Sequence, residues 1–178
     1  MLWIISSFMI AISSWAAPFP GSPLVSEKPG EFYSTRGFKI NSAQTAWIQQ
    51  APPKYIPSLV TIYKSPTPFN GQQPALTVRV DDLRHPLNLK TYVKKWMKDY
   101  NRFGFEVLTA KPIKINENQA FLLDIVSRET QKQLRQVVFL KEKTAVILTC
   151  RDGRESFAKT VLDCNEIMKT FEWVNGSG

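Results

Sequence analysis

The chain is poor in the residues that most often carry chemistry, with one histidine, His85, and two cysteines among 178 residues. Hydrolytic triads need a histidine base between a nucleophile and an orienting group, and no Gly-x-Ser-x-Gly motif accompanies His85. Glycine-rich phosphate loops, zinc-ligand spacings and calcium loops are also missing from the sequence. We therefore predict no catalytic, cofactor-binding or metal-binding residues, and expect a protein that is not an enzyme.

Asp81 and Asp82, which precede His85 in the chain, come nearest to a group of metal ligands. Adjacent carboxylates on a strand point to opposite sides of the sheet, so these two would meet at one ion only across a bulge. A polar strand end that begins a turn accounts for the same residues. We expect that role, with His85 in an ordinary loop.

Charge is missing from the first 26 residues, and residues 1–17 are apolar or small. This run is too short for a comfortable membrane span, and its small carboxy-terminal residues are typical of a secretory signal. Cleavage after Ala16 places Ser14 and Ala16 at the small positions of the cleavage site. The run lacks the usual basic residue at its start, so an uncleaved anchor or a buried helix is the alternative. We predict a signal peptide over residues 1–16 and a periplasmic or secreted protein.

The remaining chain has the composition of one folded domain, with 43% apolar and 21% charged residues. Proline and glycine are concentrated just after the predicted signal, without helical or strand periodicity. We predict a proline-rich extended leader over residues 17–36, one domain over residues 37–173 and a flexible tail over residues 174–178. The first apolar anchors of the domain are expected to be Phe38, Ile40, Trp47 and Ile48.

Alternating, β-branched runs predict strands over residues 58–64 and 75–80, joined by a long turn-rich segment. Four more runs, separated by short polar turns, predict further strands at residues 105–115, 119–128, 134–141 and 144–150. Such short links imply an antiparallel meander, because parallel strands need crossovers of a dozen or more residues.

Two segments have the apolar period of an amphipathic helix. The first begins after Asn88, a good amino-terminal cap, and ends at Gly104. Its apolar face is formed by Leu89, Tyr92, Val93, Trp96, Met97 and Tyr100. The second covers residues 156–171 and should pack on one sheet face. Together with the strands, these helices predict an α+β fold in which amphipathic helices flank an antiparallel sheet.

The chain has 23 Lys+Arg against 15 Asp+Glu, a formal net charge of +8, which favours anionic partners without choosing between them. The opposite face of the first helix carries five cations, which we call the basic stripe: Lys90, Lys94, Lys95, Lys98 and Arg102. A solvated helix face explains the same residues, but a row of like charges also raises the potential for an anionic partner. The basic stripe is the candidate partner-binding surface. A second group reads as ordinary surface because Glu129 and Glu142 interrupt it: Arg128, Lys132, Arg135, Lys141 and Lys143.

The two cysteines, Cys150 and Cys164, make an even count, which favours a disulfide in an exported protein. Cys150 ends a predicted strand and Cys164 lies in the following helix, so the bond would close a loop of about 15 residues. Two buried free cysteines are the alternative. A redox role is disfavoured because the spacing is not Cys-x-x-Cys.

Several stretches in order along the chain carry a resemblance to a known fold family. They are Gly37-Phe38-Lys39-Ile40 followed by Trp47, the strand ALTVRV, the helix from Leu89 to Tyr100, Asn118-Gln119-Ala120-Phe121, VVFLKEKTAVILTC and the closing helix to Phe171. In this order the pattern resembles the PsbP-like fold family, which includes Mog-type nuclear-import factors and small exported bacterial proteins of the DcrB kind. The resemblance implies an antiparallel sheet flanked by helices that serves as a binding or assembly module without catalysis. It carries over no binding residues.

The leading hypothesis is an exported, monomeric, non-catalytic binding or assembly factor for an anionic protein or envelope component. Nucleic acid is a disfavoured partner, because the aromatic residues lie at core positions and do not alternate with exposed basic ones. One alternative is a carrier of, or an enzyme on, a small apolar ligand in a sheet-helix pocket, which would need a cavity of roughly 300 Å³ or more. Another is weak binding to anionic membrane surfaces.

Overall fold

The computed structural model describes residues 30–174, which form two antiparallel sheets and two α-helices. The α+β class with helices flanking an antiparallel sheet is therefore confirmed. The predicted signal peptide, its cleavage site, most of the predicted leader and residues 175–178 lie outside the described residues.

The described chain contains ten strands: β1 Glu31–Ser34, β2 Phe38–Asn41, β3 Ile48–Gln50, β4 Leu59–Lys64, β5 Ala75–Asp82, β6 Phe105–Ile115, β7 Asn118–Ser127, β8 Lys132–Lys141, β9 Thr144–Gly153 and β10 Glu172–Trp173. The helices are α1 Leu89–Tyr100, extended by a 3₁₀ turn over Asn101–Phe103, and α2 Phe157–Lys169. All six strands and both helices predicted from periodicity are present, with boundaries displaced by a few residues.

Seven strands form the main sheet in the order β3-β4-β5-β9-β8-β7-β6. From β6 to β9 each strand pairs with the next, which confirms the antiparallel meander, and β9 then pairs back with β5. Because successive side chains on a strand point to opposite faces, this sheet has two apolar faces, each of which packs against one helix.

A second, three-stranded sheet has the order β1-β2-β10 and joins the two ends of the described chain. Residues 31–34, which belong to the segment predicted to be an extended leader, form strand β1 and pair with β2, so strand pairing begins before residue 37. The two terminal strands of this sheet are too short to show a periodic pattern in the sequence. Four residues form β1 and two form β10, and both become strands by pairing with β2.

On one face of the main sheet, the α2 side, α2 and the small sheet enclose the larger core. Phe171 stacks on Phe139 with ring centroids 3.8 Å apart and lies 5.6 Å from the ring of Phe38. Cys150 of β9 is bonded to Cys164 of α2, and their Cα atoms are 6.0 Å apart. The predicted disulfide is therefore present and links α2 to the centre of the sheet.

On the other face, the α1 side, helix α1 packs its buried Tyr92 and Val93 on strands β6, β7 and β8. The predicted cap is present, since the Asn88 side chain accepts a hydrogen bond from the Thr91 amide at 2.8 Å. Gly104 ends the helical segment with φ 76°, a conformation that glycine adopts without a Cβ clash.

Two apolar anchors are more exposed than their positions predict. Trp96 is on the expected face of α1 but is 38% exposed. It lies at the edge of the helix, beside a part of the sheet that no other described element covers. Ile48 is 54% exposed on the short edge strand β3, whereas the neighbouring Trp47 is buried. The expectation that Ile48 belongs to the core is wrong.

Strand β6 serves both cores because a register shift between Val107 and Thr109 interrupts its pairing with β7. Before the shift, Phe105 and Val107 pack on the α1 side. After it, Ile113 and Ile115 pack on the α2 side. The extra residue of a β-bulge reverses which side chains face each layer, so one edge strand closes both cores.

Candidate partner-binding surface on the first helix

Helix α1 is fixed to the sheet by two side-chain hydrogen bonds as well as by apolar packing. The Tyr92 hydroxyl donates to the Asp81 carboxylate at 2.5 Å, and the Tyr100 hydroxyl donates to the Gln136 side chain at 2.6 Å. Burial, followed by the hydrogen bond to Asp81, raises the pKa of Tyr92 well above its ordinary value. Tyr92 therefore remains a donor at neutral pH and holds the helix against β5.

The basic stripe lies on the solvent face of this anchored helix. All five members are exposed: Lys90, Lys94, Lys95, Lys98 and Arg102. At 100° per residue the four lysines of α1 cover an arc of about 140°, opposite the buried side, and Arg102 follows in the 3₁₀ turn. None of them forms an ion pair with any residue in the range 30–174. Asp99, the acidic residue of α1, borders the stripe four residues after Lys95, on the side of Trp96 and Phe103. The stripe is therefore a row of five unpaired cations, bordered by one carboxylate, on a rigid support.

Aromatic side chains border the stripe on the side that faces β5. Trp96 is partly exposed, and the Arg79 guanidinium lies over its ring, 4.8 Å from the centroid. Phe103 is 60% exposed, and the Arg102 guanidinium lies 5.2 Å from its ring centroid. Sequence periodicity did not reveal this border, because it places Trp96 in the core and says nothing of Arg79, which arrives from another strand.

The cleft between α1 and the sheet is small. Its volume is 130 Å³, and its walls include Tyr92, Trp96, Tyr100 and Phe105. Small-molecule sites usually have at least about 300 Å³. The cleft beside α1 is therefore too small for the apolar ligand pocket of the alternative hypothesis, which applied to either helix.

Two larger depressions lie at the opposite end of the molecule, where the β4–β5 loop meets the start of α2. Their volumes are 510 and 460 Å³, and both are lined by Phe69, Asp152, Glu155 and Ser156. Asp152 is buried, accepts hydrogen bonds from Thr160 and the Gly153 amide, and so has its partners within the fold. Neither depression contains a recognisable nucleophile and base pair among these lining residues.

Asp81, Asp82 and His85 do not come together as a group of metal ligands. Asp81 accepts hydrogen bonds from Tyr92 and Arg79, whereas Asp82 forms an ion pair with Arg36 at 2.6 Å. His85 is exposed in the segment before α1. Within residues 30–174, no three His, Cys, Asp or Glu side chains lie close enough together to hold a metal ion.

The described helices are too short or too polar to span a bilayer.

Comparison with known proteins supports the fold and little more. No family model matches the chain, and no curated protein matches its sequence significantly. Among solved structures, the cyanobacterial PsbP (CyanoP) of Synechocystis sp. PCC 6803 superposes with a TM-score of 0.59 at 11% identity, over 88% of this chain and 99% of that one.

Two further structures have the same architecture. LpqN of Mycobacterium tuberculosis, described as involved in cell envelope biogenesis, gives a TM-score of 0.62 at 10% identity, covering 86% of this chain and 90% of LpqN. A Pseudomonas aeruginosa protein of unknown function, PA94, gives 0.55 at 19% identity, covering 74% and 87% of the two chains. At these identities the likeness shows the fold alone, so the resemblance to PsbP holds at the level of architecture. The disulfide is compatible with an exported protein.

Proposed function

We propose that this chain is an exported, non-catalytic binding or assembly factor that recognises an acidic protein of the cell envelope or extracellular space through the basic stripe on α1. The observation that carries the proposal is the set of five exposed cations without an ion-pair partner among the described residues. Surface cations that need no partner for folding are available for association.

The rigid attachment of α1 to the sheet also supports a binding role for the basic stripe. Side chains on a helix that is hydrogen-bonded to the sheet at Tyr92 and Tyr100 lose little further backbone freedom on binding. Charge complementarity at such a surface would mainly accelerate association and choose the partner, with a strong dependence on ionic strength. Recognition of an acidic protein surface fits these properties.

Two separate observations support a location outside the cytoplasm. A disulfide between Cys150 and Cys164 is typical of proteins that fold in an oxidising environment. LpqN, which shares the fold, is described as involved in cell envelope biogenesis. With the predicted signal peptide, these observations support a role outside the cytoplasm.

Charge reversal tests the proposal. The triple variant Lys90→Glu, Lys94→Glu and Lys98→Glu should lose at least ten-fold in affinity for a poly-glutamate probe at low salt, measured by titration calorimetry. It should also lose the partners that the wild type captures by crosslinking in the native compartment.

A matched control separates the stripe from net charge. Lys54, Lys111 and Lys143 are exposed and form no ion pair in the described structure, so changing all three to Glu alters the total charge equally. We expect this control to keep most of the affinity. Equal losses in the two triple variants, or none in either, would mean that the stripe is not a recognition surface.

A second candidate is an anionic membrane surface, which the exposed Phe103 beside Arg102 favours. Basic helices with exposed aromatic residues bind at the interface of anionic bilayers. Binding to phosphatidylglycerol vesicles that disappears at moderate salt and is weakened by Phe103→Ala would support this role. Retention of poly-glutamate binding by Phe103→Ala would separate the two candidates.

A further inference from the structure

A second group of unpaired cations lies on the α1 side of the main sheet, beyond the part that α1 covers. Strand register brings them together: Lys64 of β4 pairs with Ala75 of β5, and Ala75 pairs with Arg151 of β9. Lys132 of β8 pairs with Gly153, two residues from Arg151, so it is the diagonal neighbour of Arg151. Diagonal neighbours on one face of a sheet are about 7–8 Å apart. We call the depression lined by Lys64, Lys132 and Arg151 the cationic depression.

None of these three cations has an acidic partner among the described residues. Asp152 follows Arg151 directly, but its carboxylate accepts hydrogen bonds from Thr160 of α2 and from the Gly153 amide. Asp152 also lines the depression, but alternation along β9 directs its side chain toward the α2 side, where these hydrogen bonds hold the carboxylate. The lining of the depression therefore carries three cations and one carboxylate, which Thr160 and the Gly153 amide already engage. Lys132, which the sequence predicts to be ordinary surface, is one of these cations.

The depression also has a shape that suits a small anion. Its volume is 260 Å³, with Ala75 as the small residue at its floor and Gln72 and Gln73 at its rim. Liquid water occupies about 30 Å³ per molecule, so this space accepts a phosphoryl group with a small substituent. The side-chain amide of Gln73 donates a hydrogen bond to the Ser65 carbonyl at 2.9 Å, which holds the rim in place.

We propose that Lys64, Lys132 and Arg151 form a binding site for a phosphomonoester group, carried either by a soluble metabolite or by a lipid headgroup. Arginine presents a planar fork that binds two oxygens of a phosphate at once, and the two lysines add point charges from neighbouring strands. All three side chains arise from paired strands, so the site is organised before the ligand arrives.

The site is separate from the basic stripe. Ala75 lies four residues before Arg79, which contacts the α1 residue Trp96, so the distance along β5 is about 13 Å. Binding at the cationic depression is therefore measurable without the stripe, and the two proposals can fail independently.

The experiment is a titration of the ¹⁵N-labelled protein with glycerol 3-phosphate at low ionic strength, with glycerol as the neutral control. Saturable shifts are expected at the Ala75 and Arg151 amides with the phosphate and not with glycerol. Arg151→Ala should weaken binding at least ten-fold, and Arg151→Lys should weaken it less, because a point charge is kept while the fork is lost. Lys111→Ala, at an exposed lysine on β6, is the matched control and should bind like the wild type.

Vesicles distinguish the two sources of the phosphate. If the site binds a lipid headgroup, the protein should sediment with phosphatidic acid vesicles but not with phosphatidylcholine vesicles. Arg151→Ala should abolish this sedimentation. Glycerol 3-phosphate binding without vesicle binding would assign it to a soluble ester. The triple variant of the basic stripe should bind glycerol 3-phosphate normally. The proposal is overturned if neither probe binds, if Arg151→Ala binds as well as the wild type while its spectrum shows a folded protein, or if the stripe variant loses the same affinity.

Discussion

The two faces of the main sheet differ in what covers them. On the α2 side, a helix, a second sheet and a disulfide enclose a continuous apolar core that includes Phe38, Phe139 and Phe171. On the α1 side, one helix packs over strands β6 to β8, and polar or charged residues such as Thr77 and Arg79 face outward from β5. Both proposed binding surfaces are on this second side. The comparison indicates that burial on the α2 side stabilises the fold and leaves the α1 side free to carry unpaired charge.

The largest expected effect comes from opening the core on the α2 side. Phe139 is completely buried and stacked on Phe171, so Phe139→Ala should lower the free energy of unfolding by about 3–5 kcal/mol. Phe105→Ala is the matched change on the α1 side, where the ring is only half-buried, and should cost less. Urea unfolding of both variants measures the difference. Equal losses would contradict the claim that stability is concentrated on the α2 side.

Removing the disulfide should have the next largest effect. The bond closes a loop with a sequence separation of 14, for which chain entropy predicts about 3 kcal/mol. The double variant Cys150→Ala and Cys164→Ala should therefore unfold at lower urea, and a reducing agent should destabilise the wild type without further affecting the variant. Amide exchange should accelerate in α2 more than in α1. Uniform acceleration in both helices would show that the two sides unfold as one unit.

Alkaline pH tests the burial of a single polar group on the α2 side. Tyr63 is fully buried, and burial raises the pKa of its phenol well above the ordinary value. Its stabilising contribution is thus complete below pH 10, where the unfolded phenol is still protonated, and is lost as pH rises further toward the folded pKa. For an unfolded pKa near 10, the loss at pH 11 is about 1 kcal/mol.

Two phenylalanine variants isolate this effect from the titration of lysines. Tyr63→Phe should remove its share of the decline in unfolding free energy between pH 9 and pH 11. Tyr55→Phe, at a site 82% exposed, should leave the decline unchanged. An identical pH slope in both variants would mean that the Tyr63 phenolate forms in the folded protein.

The smallest effect is expected at the start of α1. Asn88→Ala removes the acceptor for the Thr91 amide and should cost about 1 kcal/mol. Asn88→Asp keeps an acceptor and should restore most of that loss. Hydrogen exchange should increase in the first turn of α1 and stay unchanged in α2. A larger effect on α2 would mean that the two sides of the sheet are more tightly coupled than their packing indicates.

The local features of the fold were predictable because each depends on residues close together in the chain. Alternation placed the strands of the meander, a 3.6-residue period placed both helices, and Asn88 and Gly104 marked the limits of the first. The pair Cys150 and Cys164 was predictable from parity and context. The five residues of the basic stripe were also found correctly as an exposed set, since a helix presents one face to solvent.

The long-range features were not predictable, because they depend on which segments pair. Strands β1 and β10 are too short for a periodic signal and exist through their pairing with β2. Trp96 has a core position in the helical pattern of α1 but is partly exposed at the edge of the helix. No local sequence pattern reports this exposure. Lys64, Lys132 and Arg151 are far apart in the chain, and only strand register places them around Ala75.

The sequence by itself determined the six longer strands, both helices, the cap of α1, the cysteine pair and the charge of the helix face. Backbone geometry imposes a period of 2 residues on strands and of 3.6 residues on helices in any chain that buries its apolar side chains. The tertiary structure alone decided where the sheet remains uncovered and which cations meet there. Register between distant strands sets those neighbours, and it is chosen by the packing of the whole core.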